Sequence, residues 1–154
     1  MQPSRSSRSV RGFSLIEFLV VVAIILTIAA CEMGHDQANA REMFVVREIQ
    51  TINTAQAQYM SQSGKFAPSL IELGPPASGL PGPSAADLIP GSLASGNKDG
   101  YVFTLTPTPS GYTLNVNPKV YGSTGRRTFY SDQNMIIHQN ASGEPANASS
   151  SQLR

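Results

Sequence analysis

A chain of 154 residues suits one modest domain with a single core, and a second domain is not expected. The net charge of +1 hides an uneven distribution: Arg5, Arg8 and Arg11 stand near the start with no acid among them, and the remainder is mildly acidic, without the Lys/Arg stripe that tracks a phosphate backbone, which argues against nucleic-acid binding. The 14% charged content is low for a soluble protein, and one cysteine, Cys31, excludes an internal disulfide and a thiolate metal cluster.

The first element is an apolar run. Residues 13–33 as a helix span roughly 30 Å, about the thickness of a bilayer's hydrocarbon core. A transmembrane helix is therefore expected there, with the preceding arginines cytoplasmic and the rest of the chain outside the inner membrane. The basic start, the apolar run and the small residues Ala29 and Ala30 also fit a plain anchor or a secretory signal peptide. Ile28-Ala29-Ala30-Cys31 resembles a lipobox, which implies a periplasmic lipoprotein anchored at Cys31. Neither reading uses Glu17, a carboxylate whose burial in hydrocarbon costs roughly 2.5–3.5 kcal/mol unless it is partnered or snorkels to the interface.

The helical pattern continues. Val45, Ile49, Ile52, Ala55 and Tyr59 recur at steps of three and four, with Arg47, Glu48, Gln50, Asn53 and Gln58 on the other faces. An amphipathic half is expected over residues 34–63, ended by Gly64 in a left-handed cap. Gly34, Glu32, His35 and Asp36 make the junction polar, and with no third ligand nearby His35 and Asp36 read as a solvated face rather than a metal site.

Residues 64–100 contain a stretch dense in Pro, Gly and Ser and read as a surface loop with one helical turn around Leu88-Ile89. Residues 101–140 carry the strand signals. Tyr101, Phe103 and Leu105 share one face, Tyr112, Leu114 and Val116 another, and Thr106 to Gly111 join them as a hairpin. A second pair is expected from Arg127 to Tyr130 and from Met135 to His138, turning at Asp132-Gln133-Asn134 with Asn supplying positive φ. Four antiparallel strands laid on the amphipathic helix would bury both apolar surfaces. Arg126-Arg127 read as a turn pairing with nearby acids, with anion binding the alternative, and His138 reads as structural. Residues 141–154 are expected to be disordered, and two Asn-x-Ser triplets, at Asn140 and Asn147, lie in or beside them.

Arg11-Gly12-Phe13-Ser14-Leu15-Ile16-Glu17 resembles the leader junction of type IV prepilins and type II secretion pseudopilins. Thr51 to Gly74 and Tyr121 to His138 are similar to later parts of pilin-like proteins. The resemblance implies a leader over residues 1–12, cut between Gly12 and Phe13 by a prepilin peptidase that also methylates the Phe13 amine. It implies an α+β pilin fold, with a long N-terminal stalk helix packed on a small antiparallel sheet. It further implies that Glu17 directs filament assembly by pairing with a neighbouring subunit's Phe13 amine.

On that resemblance the chain is expected to be a structural subunit of a type IV pilus-like filament. Its partners would be further copies of itself, the peptidase/methyltransferase and an inner-membrane assembly platform. It would begin as a single-pass inner-membrane precursor and end in an extracellular pilus or a periplasmic pseudopilus. The alternatives are the major pseudopilin of a type II secretion system and the lipoprotein. No catalytic residues, cofactor or metal are expected: no Gly-x-Ser-x-Gly elbow or paired acids occur, and Asp132 with Glu144 is too thin for calcium.

Overall fold

The computed structural model describes the backbone of residues 14–153 and the side chains of 14–27 and 39–153. In chain order it contains α1 (Leu15–Ser63), α2 (Leu70–Leu73), α3 (Gly91–Ala94), β1 (Asn97–Lys98), β2 (Tyr101–Thr108), β3 (Gly111–Pro118), β4 (Thr128–Asp132), β5 (His138–Asn140) and β6 (Ser151–Gln152). Contacts divide the chain into two units, Met1–His35 and Asp36–Arg154.

The first unit holds the start of α1, where the Phe18 amide donates to the Ser14 carbonyl at 3.1 Å. Leu15, Ile16, Phe18, Leu19, Ile24, Ile25 and Leu26 are all more than half exposed. Among the described residues no helix is long and apolar enough to cross a membrane. The expectation of a transmembrane stalk is therefore corrected: the fold is α+β, built from helices and an open antiparallel sheet, with no long apolar membrane-spanning element among the described residues.

The second unit is organised by a stripe on α1. Val45, Ile49, Ile52, Ala55 and Tyr59 are buried, and they join one core with Tyr101 and Phe103 of β2, Tyr112, Leu114 and Val116 of β3, and Phe129 of β4. The sheet has six antiparallel strands in sequence order, not the four expected. Registers Phe103↔Val116 and Val116↔Phe129 align core residues across three strands, so one face of β2, β3 and β4 is turned to the core. The first hairpin turns at Pro109-Ser110, because Thr108 and Gly111 already pair. At the second turn the positive φ falls on Met135 (62°) rather than Asn134, whose amide donates to Asp132 Oδ1 at 2.9 Å.

Asn53 does not lie on a solvated face. It is buried, its Nδ2 donates to Ser131 Oγ at 2.8 Å, and Tyr112 Oη donates to its Oδ1 at 2.9 Å. Gln56 is fully buried too, exchanging two bonds with the Ala67 backbone, at 3.0 Å to the carbonyl and 2.9 Å from the amide. That amide staples the chain after the helix onto α1. Gly64, at φ 70°, ends α1 with its amide on the Met60 carbonyl at 2.9 Å.

The segment expected to be a surface loop supplies core as well: Leu70, Leu73, Ile89 and Leu93 are buried. Ser69 caps α2, its side chain accepting from the Glu72 amide at 3.4 Å. The expected disordered tail is also ordered through residue 153. Thr128 Oγ1 donates to the Glu144 carbonyl at 2.7 Å, Asn115 Nδ2 to that of Ala146 at 3.2 Å, and β6 pairs with β5. Side-chain donors reaching carbonyls hold a segment whose composition has little to bury.

Candidate functional site

Gly12 and Phe13, the expected cleavage and methylation positions, lie outside the described residues. Glu17 sits in the first turn of α1 and is exposed. A carboxylate there favours the helix irrespective of any partner, because unpaired N–H groups leave the helix N-terminus partly positive.

The most connected polar cluster of the second unit is elsewhere. Glu42 of α1 is only 2% exposed, yet both carboxylate oxygens are used: Oε1 accepts the Arg126 amide at 2.8 Å and Oε2 accepts Arg127 Nε at 2.6 Å. Arg127 Nη1 donates to Gln139 Oε1 on β5 at 2.8 Å, and Tyr101 Oη donates to the Arg127 carbonyl at 3.2 Å. A helix carboxylate, a pre-β4 guanidinium and a β5 side-chain amide thus form one chain of charge-assisted bonds. Of the two readings for Arg126-Arg127, pairing with an acid is what the geometry shows for the Arg127 side chain, while Arg126 meets Glu42 through its backbone amide.

Gly125 makes room for this. A Cβ built there would stand 1.8 Å from Tyr101 Oη, so only glycine lets the tyrosine reach its acceptor. Burial raises the Tyr101 pKa well above its ordinary value, and the Glu42 charge pushes the same way while Arg127 opposes it. Tyr112 is raised for similar reasons, by burial first and then by Asp132.

A signal for Glu42 was present in the sequence. It stands three residues before Val45 and seven before Ile49, in register with the buried stripe. Its partners are more than eighty positions away, so periodicity alone reports a polar residue on an apolar face and nothing of what satisfies it. A second ion pair, Lys98 with Glu48, ties β1 to α1.

Chemically the cluster is a clamp. Its donors and acceptors are turned on each other, with neither a nucleophile nor a general base aimed at open space. Asp132 is likewise engaged, with the Asn134 amide and, at 3.4 Å, the Tyr130 hydroxyl. Among the described residues no group of three His, Cys, Asp or Glu side chains is placed to hold a metal ion. His138 donates from Nδ1 to the Ser150 carbonyl at 2.7 Å, since a carbonyl can only accept, and Tyr130 packs edge-on against its ring.

Residues 7–30 match the prokaryotic N-terminal methylation motif. Neither a curated protein nor a solved structure matches the chain. The motif match reaches the amino-terminal segment alone and leaves the remaining residues, including the whole sheet, without a counterpart. Membership of the type IV pilin and pseudopilin family, expected from wider resemblance, is accordingly corrected to similarity with this motif. With no membrane-crossing helix among the described residues, the single-pass inner-membrane precursor, the assembly platform as partner and filament assembly through a hydrophobic N-terminal helix lose their basis. The pseudopilin alternative relied on the same helix and falls with it, while Cys31, at which the lipoprotein alternative would be anchored, lies outside the residues whose side chains are described.

Proposed function

We propose that the amino terminus of this chain is itself a substrate: a peptidase hydrolyses the bond between Gly12 and Phe13, and a methyltransferase then modifies the new Phe13 amine. The observation that carries this reading is the motif match over residues 7–30, which spans Gly12, Phe13 and Glu17 together. Glycine before the scissile bond supports it, because a residue without Cβ gives a protease an unhindered backbone. Hydrolysis consumes one water and leaves a Gly12 carboxylate and a free Phe13 α-amine. The neutral amine then attacks the methyl group of a sulfonium-type donor; the N–C bond forms as the S–C bond breaks, the neutral thioether leaves with that electron pair, and the amine loses one proton to solvent.

The chain contributes no catalysis of its own in this reading. Inward-turned polar groups in the Glu42 cluster support that part, since each does structural work on another. Beyond the processed terminus lies the unit Asp36–Arg154, whose buried apolar core begins at Val45, more than thirty residues past the proposed cut.

Substitution at the scissile position provides the test. Gly12→Val in the full chain, expressed in the native host, should accumulate as the uncut form, which gel mobility reads directly. Cutting at the wild-type rate and position in that variant would contradict the proposal.

A further inference from the structure

Between α1 and the β5 edge lie two adjoining cavities, of about 340 and 460 Å³. Val46, Gln50 and Leu153 line both, so they are one trough partitioned by the Leu153 side chain. Glu42 and Arg127 close one end, and Ile136 and Ile137 the other. The occupant of this trough is the chain's own segment Ser150–Leu153.

That segment is lightly held. Ser151 and Gln152 pair with Gln139 and His138 but keep both side chains exposed. The Leu153 amide donates to the Ile137 carbonyl at 2.8 Å, and the Ser150 carbonyl accepts from His138. One partly buried leucine is the only apolar anchor, with open volume on either side of it. Firm attachment begins at Ala146, which is 2% exposed. Residues 147–153 therefore form a strap of roughly 23 Å when extended.

We infer that the trough is a strand-acceptor seat, filled in cis by Ser150–Leu153, and that the same segment of a second copy of this chain fills it in exchange. A segment with so few buried contacts opens locally without unfolding the core. Opening bares the β5 edge, whose unpaired N–H and C=O groups template another strand, and leaves Val46 and Ile137 without their leucine. The seat already matches this sequence in register and in its apolar slot, and every copy carries both seat and strap. Exchange remakes each bond in trans at no enthalpic loss, which is the basis of swapped dimers. None of these residues lies in the first unit, so exchange is independent of amino-terminal processing.

The test uses two full-length variants in a Cys31→Ser background, kept dispersed in mild detergent: Gln139→Cys and Ser151→Cys, positions that face each other across β5 and β6. On mixing and oxidation, a disulfide-linked heterodimer should form several-fold above the homodimer of either variant alone. Adding Leu153→Asp to the Ser151→Cys chain should return it to that background. A heterodimer no more abundant than the homodimers, or one indifferent to Leu153→Asp, overturns the inference. Amide exchange in the unsubstituted chain is a second reading that needs no variant to fold. The Leu153 amide should exchange at least about tenfold faster than the hydrogen-bonded amides of β3; equal protection would show that the strap does not open and would also overturn it.

Discussion

Two stretches of the same helix have opposite fates. At its start Leu15 is 81% exposed and Ile16 70%, while Ile49 and Ile52, further along, are completely buried. From Phe18 to Leu26 the residues are apolar in unbroken succession, so the helix is apolar on all sides there and has no face to direct at a partner layer. The later residues confine apolarity to one stripe, which a sheet of matching width can cover. Apolar content makes burial favourable; its arrangement decides whether this chain's own sheet can supply it.

The largest expected effects set the two stretches directly against each other. Phe129→Ala removes a fully buried ring facing the stripe and should lower the unfolding free energy by about 3–5 kcal/mol in denaturant titration. Phe18→Ala, on a side chain 63% exposed, should change it by no more than about 0.5 kcal/mol. Equal losses at the two positions would abolish the distinction.

The acids repeat the contrast at smaller amplitude. Glu42→Ala strands the Arg126 amide and leaves Arg127 without its carboxylate, and about 2–3 kcal/mol should be lost, below the full value for a buried pair because Arg127 reaches solvent. Glu17→Ala forfeits only a favourable charge near a helix terminus and should cost a few tenths of a kcal/mol.

Titration gives a finer reading of the buried stretch. Tyr101 and Tyr112 hold their protons in the folded state beyond the ordinary value of 10.0, whereas in the unfolded chain they ionise there. The unfolded state then binds fewer protons, so this stabilisation is complete below pH 10 and declines as pH rises above it. Denaturation midpoints recorded alongside tyrosinate absorbance should show both groups ionising on unfolding; early, reversible ionisation of the native protein would contradict their burial. Smallest among the core changes, Asn53→Ala should cost about 1–2 kcal/mol by unpairing Tyr112 and Ser131, read from the same denaturant curves.

The readable parts of the fold were those governed by local period. Steps of three and four marked Val45 to Tyr59, and alternation marked Tyr101 to Phe103 and Tyr112 to Val116. Polar residues inside the stripe were opaque for a physical reason: Glu42, Asn53 and Gln56 are satisfied by groups distant in sequence, so the helix pattern records only that they interrupt it. Tail order was hidden similarly, since Thr128 and Asn115 bind its carbonyls and carbonyls carry no sequence signature. Hydropathy over residues 13–33 suggested a membrane crossing that no helix among the described residues makes. Of the expected site, Glu17 is placed in an exposed first turn, while Gly12 and Phe13 lie outside the described residues.

Intact-mass analysis of the full chain recovered from its native host decides whether the amino terminus is processed. A polypeptide beginning at Phe13 and heavier by one methylene is the predicted species. A mass beginning at Met1, at any other residue, or at Phe13 with an unmodified amine would contradict it.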